Sequence, residues 1–179
     1  MQEYSVRNAI SDDIPHLMQL NHSYRTDYVW QMAMRENSDE ISITFREVRL
    51  PRPMRVKYPR DPQLLADEWI MRSGFIVAVR DGRAIGYMAF IDGPSPNSAW
   101  ATDLVVAQSD RRQGAGTKLV KAGIQWCRDR ELRRIYMEMQ SKNFPAISIA
   151  KKLGLSFAGY SDNYFPDQDI ALFFSKDLT

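Results

Sequence analysis

The 179-residue chain has one cysteine, Cys127, and two histidines, His16 and His22. A single thiol excludes an internal disulfide, and so few soft ligands argue against the common zinc sites; no metal is expected. No apolar run approaches the roughly 18 residues that a bilayer span requires. The opening stretch MQEYSVRNAI has no basic segment followed by an apolar one, so no secretory signal is expected and a cytoplasmic location is the default. An excess of one charge is also missing. Lys and Arg number 24 against 22 Asp and Glu, a net charge of +2, which provides no global field for nucleic acid or a membrane surface. There are no internal repeats and no low-complexity tracts.

What is present is core material. Apolar residues make up 44% of the chain and aromatics 11%, a composition that argues against disorder. The length fits one domain spanning residues 1–179. Tyr4 to Ile10 alternates as a first strand. Ser11-Asp12-Asp13 then caps a short amphipathic helix through Leu20. Tyr24 to Arg35, rich in aromatics and methionine, is expected as a second helix. Ile41, Ile43 and Phe45 open a strand that runs towards Tyr58. Within 41–60 the basic residues Arg46, Arg49, Arg52, Arg55, Lys57 and Arg60 face one acid, Glu47. A solvated strand and loop is the ordinary reading of such a run, and a wall of a binding cleft the sharper one. Asp61-Pro62 opens a helix to about Arg72.

Phe75 to Val79 and Ala84 to Ile91 read as a hairpin across Asp81-Gly82. Trp100 to Ala107 is a further strand. Gly116 to Arg130 is a helix whose stripe of Leu119, Val120, Gly123, Ile124 and Cys127 makes Cys127 a packing residue rather than a nucleophile. Ile135 to Met139 is a strand, Asn143 to Leu153 a helix stopped by Gly154, and Phe157 to Tyr160 with Ile170 to Phe174 a closing hairpin. This order predicts an α+β fold with a mixed, mostly antiparallel sheet.

Between a strand and a helix lies Asp110-Arg-Arg-Gln-Gly-Ala-Gly-Thr-Lys118. The first turn of a helix leaves N–H groups unpaired and carries partial positive charge. Gly114 and Gly116 permit close approach, and Arg111 and Arg112 add forked donors. Such a loop suits a pyrophosphate. It is neither a P-loop, because Thr117-Lys118 stand in the wrong order, nor a dinucleotide fingerprint, because the third glycine is missing.

Arg111-Arg112-Gln113-Gly114-Ala115-Gly116 resembles the acetyl-CoA pyrophosphate loop of the Gcn5-related N-acetyltransferase (GNAT) family. Asp103-Leu104-Val105-Val106 is similar to the strand before it. Asn143-x-x-Ala146, continuing to Gly154-Leu155, is similar to the family's later cofactor helix. The resemblance covers roughly residues 75 to 175. It implies a twisted sheet with helices on both faces and two splayed central strands. It also implies acetyl-CoA as cofactor, held by Leu104, Val105, Val106, the loop 111–116, Thr117, Asn143 and Ala146. Position 150 is alanine where many relatives carry the tyrosine that protonates the departing thiolate, so that role passes to water, Tyr160 or Tyr164, or catalysis is lost.

Glu138-Met139-Gln140 with Asn143 and Ala146, and Tyr164-Phe165-Pro166 with Asp169-Ile170-Ala171-Leu172-Phe173, are most similar to streptothricin acetyltransferases. Leu50-Pro51 and Lys57-Tyr58 echo the same group. A β-lysine-type amine on a small cationic molecule is the acceptor this implies. The chemistry asks for a base, and Asp103 or Glu138, on the two splayed strands, could serve through water, with Tyr164 as a catalytic hydroxyl. Asp162, Asp167 and Asp169 could receive a polycation, although loop acids are ordinarily just that. A dimer being common among such proteins, the resemblance allows a homodimer. Two other classes compete: a non-catalytic acyl-CoA-binding domain, motivated by Ala150, and a nucleic-acid module built on the arginines interleaved with Phe45 and Tyr58. A protein or peptide amine is the alternative acceptor.

Overall fold

The computed structural model describes residues 4–178; Met1 to Glu3 and Thr179, at the ends of the expected domain, lie outside the described residues. From the N-terminus, β1 (Ser5–Asn8) leads to α1 (Ile14–Met18) and then to a long hairpin of β2 (Tyr24–Glu36) and β3 (Ile41–Val56). After α2 (Leu65–Glu68) come β4 (Gly74–Arg80), β5 (Arg83–Asp92) and β6 (Ser98–Val106). Then follow α3 (Ala115–Arg128), β7 (Arg134–Gln140), α4 (Phe144–Lys152), β8 (Ser156–Ser161) and β9 (Ala171–Asp177). Seven strands form one sheet in the order β1-β4-β5-β6-β7-β9-β8. Every pair in it is antiparallel except β6 with β7.

The expected mixed α+β sheet with helices on both faces is present. On one face α3 and α4 bury Leu119, Val120, Ile124, Cys127 and Ile147 against Met88, Phe90, Ile135 and Met137. On the other, Ile14 and Leu17 of α1 and Leu65 of α2 pack on Phe75, Val77, Tyr87 and Val105. Alternation along each strand supplies both faces. Cys127 is fully buried among these side chains. Gly123 lets α3 lie close on the sheet: a Cβ there would stand 2.8 Å from Phe90 Cζ and 2.9 Å from Met88 Sδ. Gly123→Val should therefore lower stability by about 1–3 kcal/mol through overpacking, measured as a reduced midpoint of denaturant unfolding at unchanged m.

Two expectations fail. Tyr24 to Arg35 is strand, not helix. Tyr24, Thr26, Tyr28, Trp30 and Met32 alternate with Arg25, Asp27, Val29 and Gln31, a period of two rather than 3.6, and aromatic and β-branched residues fit a pleated surface. Pairing with β3 runs from Tyr24↔Val56 to Glu36↔Ile41, with a register shift between Thr26 and Tyr28. The shift lies opposite the segment holding Pro51 and Pro53, which cannot donate to a ladder. A ribbon thus replaces the expected helical opening. It docks on the main sheet through Trp30 N–H to Ser141 O (2.9 Å) and through ring contacts of Tyr28 with Phe144 and of Phe45 with Tyr160. The expected helix from Asp61 to Arg72 is also broken. It is a 3-10 turn (Pro62–Leu64), α2 and a second 3-10 turn (Trp69–Met71).

Candidate active site

The parallel pair β6 and β7 is in register only from Ser98↔Arg134 to Ala101↔Met137. Beyond it, β6 stays with β5 as far as Gly86↔Val106, and β7 stays with β9 as far as Gln140↔Ala171, so the two strands part. At the fork, neighbours Ala89 and Phe90 of β5 pair with Asp103 and Ala101, leaving Thr102 as an extra residue. A bulge of this kind re-aims the side chains beyond it. Ala99 and Ala101 join the core beneath α3, whereas Val105, and with it Asp103, turns to the opposite face. Ala107 N–H donates to Ile85 O (2.7 Å). Antiparallel alternation therefore commits the backbone of Val105 and Asp103 to β5 and points that of Leu104 and Val106 into the fork.

The fork holds two buried carboxylates, Asp103 and Glu138, one from each strand. Arg60 bridges them: one guanidinium nitrogen donates to Glu138 Oε1, and another lies 3.4 Å from Asp103 Oδ1. Tyr58 Oη donates to Asp103 Oδ1 and Thr102 Oγ1 to Asp103 Oδ2 (2.6 Å). Glu138 Oε2 accepts from Trp100 Nε1 (2.5 Å) and from Tyr164 Oη (2.9 Å). Burial alone would lower the Arg60 pKa, but the charges of Asp103 and Glu138 raise it overall. Burial, reinforced by Glu138, pushes the Tyr164 hydroxyl up to about 12, and burial with Asp103 raises that of Tyr58. Both hydroxyls hold their protons at neutral pH. A cavity of about 30 Å³ remains between Arg60, Asp103, Glu138 and Phe165, room for a bridging water.

The structure brings Asp103, Glu138 and Tyr164 into one cluster. Tyr160 is not among them, its ring packing on Phe45, and Ala150 is fully buried in the core. Gln140, at the open end of β7, accepts from Tyr24 Oη (2.9 Å) and donates to Asp169 Oδ2 (2.9 Å); Asp169 also pairs with Lys142. Arg60, Tyr58 and Tyr24 were not singled out for this site. The signals that bear on them are the basic run 41–60, which includes Arg60 and whose sharper reading is a wall of a binding cleft, and Lys57-Tyr58, an echo of one group of acetyltransferases; Tyr24 has none.

His22 lies behind Tyr58, with ring centroids 5.1 Å apart, and is buried. Nδ1 stands 2.7 Å from Leu20 O, an acceptor, so the proton sits on Nδ1; Nε2 has no partner among the described residues. Burial is the largest influence on its pKa, which is lowered. The unfolded chain then takes up the proton first as the pH falls. Stability should be level above the unfolded value of about 6.5 and decline below it. His22→Gln should flatten that decline in urea midpoints measured from pH 7.5 to 5.5.

At the far end of β6, the loop after Ala107 turns through Arg112 (φ 61°) and Gly114 (φ 95°) into α3. The first helical bond is Lys118 N–H to Gly114 O (2.9 Å), and the N–H groups of residues 112–117 have no acceptor among the described residues. A Cβ on Gly114 would meet nothing within 4 Å. Arg111, expected as a forked donor to a phosphate, instead donates to the carbonyls of Val106 (2.8 Å), Ser23 (2.7 Å) and Asn21 (2.5 Å). Gln113 donates to Ser109 O (2.8 Å) and accepts from Tyr4 Oη (3.1 Å). The side chains brace the loop while its backbone forms the cradle. Asn143 caps α4 by accepting from Ala146 N–H (3.1 Å), and both residues line the fork.

The model of the acetyltransferase (GNAT) family matches residues 27–155. A Bacillus subtilis (strain 168) protein named "putative ribosomal protein bS18-alanine N-acetyltransferase" is 27% identical over 52% of this chain, and the chain spans only 60% of that relative's length. The crystal structure of a nourseothricin acetyltransferase superposes with a TM-score of 0.80 at 24% identity, over 98% of this chain and 99% of that one. The structure of a "putative streptothricin acetyltransferase" from Bacillus anthracis str. Ames, in complex with acetyl coenzyme A, gives 0.76 at 16% identity over 99% and 100%.

Proposed function

Because the chain belongs to the acetyltransferase (GNAT) family, we propose that it moves an acetyl group from acetyl-CoA to a primary amine of a small cationic, streptothricin-like molecule. The observation that carries this reading is the fork, with unpaired N–H groups at its open end and two carboxylates at its closed end. Its residues suit the cofactor: a row of N–H groups without acceptors and an open Gly114 face fit a diphosphate, and the edge of β6 that faces the fork offers the backbone of Leu104 and the N–H of Val106, whose carbonyl is held by Arg111, to an extended amide-bearing arm. When bound, acetyl-CoA supplies an activated acyl thioester.

The remaining roles belong to the chain. Leu104 and Val106 orient the arm, and a β6 N–H facing the fork polarises the carbonyl. Glu138 accepts the proton of the acceptor ammonium through water. Its Oε2 contacts Tyr164, a residue 43% exposed, which links it towards solvent; Asp103 accepts from Tyr58 and Thr102, has no contact with Tyr164, and serves to hold Arg60. Tyr164 Oη, protonated at neutral pH, is the donor that Ala150 cannot be. Direct attack needs no protein nucleophile, in keeping with a buried Cys127.

The test is a panel of amines with acetyl-CoA: streptothricin, aminoglycosides, polyamines, amino acids and short peptides, read by mass spectrometry for acetylated product and free CoA. Acetylation confined to streptothricin supports the reading. Acetylation of peptides alone turns it to the protein-amine class, and binding of acetyl-CoA without turnover on any amine leaves the non-catalytic alternative.

A further inference from the structure

A second cavity, of about 310 Å³, opens between the base of the β2–β3 ribbon and the end of β6, lined by Asn21, Ser23, Tyr24, Arg25, Pro53, Arg55, Gln108 and Arg111. Three of these are arginines and none is an acid. Arg25 and Arg55 are paired directly across the ribbon, a juxtaposition of like charges that destabilises a sheet unless something offsets it. Arg25 has no described partner, and Arg55 uses only Nε, donating to Ser23 Oγ (3.1 Å).

Arg111 is half-buried and reaches backbone carbonyls only. Burial lowers its pKa, with no carboxylate to raise it, whereas charges held out of water are ordinarily matched by an opposite charge. The walls are held in place: Asn21 Oδ1 accepts from Ser23 Oγ (2.6 Å), and Asn21 Nδ2 donates to Gln108 Oε1 (3.0 Å), leaving Gln108 Nε2 as one more free donor.

We infer that this cavity is an oxyanion site, taking a carboxylate or phosphate group of a molecule bound at the fork. Forked guanidinium donors match the geometry of both groups. Tyr24 joins the two places, since it lines the cavity while its hydroxyl donates to Gln140 in the fork. That the occupant belongs to a molecule at the fork rests on the acetyl-transfer reading; the preference of the cavity for an anion does not. An acceptor held at both places would carry its amine at the acidic fork and an acidic group some distance from it.

The decisive comparison uses the full chain and the double variant Arg25→Ala, Arg55→Ala, both positions being exposed. Inorganic phosphate, exchanged for chloride at constant ionic strength, should raise the melting temperature of the parent beyond that of the variant, where only the 112–117 cradle remains; this extra rise is the phosphate response. An equal rise in both, or none in the parent, overturns the proposal. Two further measurements name the source. Loss in the variant of an affinity preference for acetyl-CoA over its 3′-dephospho form assigns the anion to the cofactor. Loss of a rate preference for a carboxylate-bearing amine over its carboxamide, by about 10- to 100-fold, assigns it to the acceptor. A phosphate response lost with neither preference changed assigns the site to free phosphate. No turnover with any amine, the phosphate response still lost, removes the acetyl-transfer reading and leaves the oxyanion site.

Discussion

Glu138→Gln should lower kcat for acetyl transfer by about 10²- to 10⁴-fold, the range attributable to a positioned general base, while the dissociation constant for acetyl-CoA changes little. The substitution keeps the shape of the side chain but removes the proton-accepting charge and one of the two acceptor oxygens, so that an amide NH2 faces either Arg60 or the Trp100–Tyr164 pair. Its consequences in the ground state are bounded, because Arg60 retains Asp103. The same reduction is not expected of Asp103→Asn, whose carboxylate accepts from Tyr58 and Thr102 and makes no contact with Tyr164. Steady-state rates on the best acceptor, paired with calorimetric titration of acetyl-CoA, separate the two positions. A loss confined to Asp103→Asn would transfer the base to Asp103.

Gly114→Val should weaken acetyl-CoA binding by at least about tenfold, corresponding to roughly 1.4 kcal/mol, with a smaller change in fold stability. At φ 95° the backbone of Gly114 is one that L side chains rarely adopt, and a β-branched residue is the least able to follow. Nothing crowds a new Cβ there, so the strain is relieved by rotating the loop rather than by disturbing the core. Rotation disperses the N–H groups of residues 112–117 on which the cradle depends. Isothermal titration with acetyl-CoA and with CoA reads the loss; equal affinity in parent and variant would remove the loop from the binding site.

Periodicity and short motifs made most of the main sheet legible. The Asp81-Gly82 turn, the stripe of α3, the Asn143 cap and the glycines of the loop are local: each is determined by residues a few positions apart. What escaped is non-local. Tyr24 to Arg35 contains a period of two, but its methionines and aromatics suit either element, and its pairing with β3 over the tetrapeptide Leu50–Pro53 decides the outcome. The importance of Arg60 depends on partners 43 and 78 positions away, and that of Tyr58 on one 45 away. A run of basic residues does not say which of its members turns inward. Arg111 illustrates the converse: its motif position was legible, whereas two of the three carbonyls it braces come from residues 21 and 23, in a segment no local pattern connects to it.

The position of Cys127 carries a consequence for the chemistry of the protein in solution. Its sulfur is sealed between α3 and the sheet, and burial pushes its pKa up to about 12, against a small lowering by Arg130. At neutral pH it is a thiol rather than a thiolate, out of reach of electrophiles and disulfides. The native molecule should therefore be silent towards thiol-reactive dyes and mild oxidants, and a sulfhydryl that such a dye detects in a turnover mixture should originate in released CoA. Reactivity of Cys127 would emerge only on unfolding, which makes labelling of that one sulfur a count of the chains that have opened.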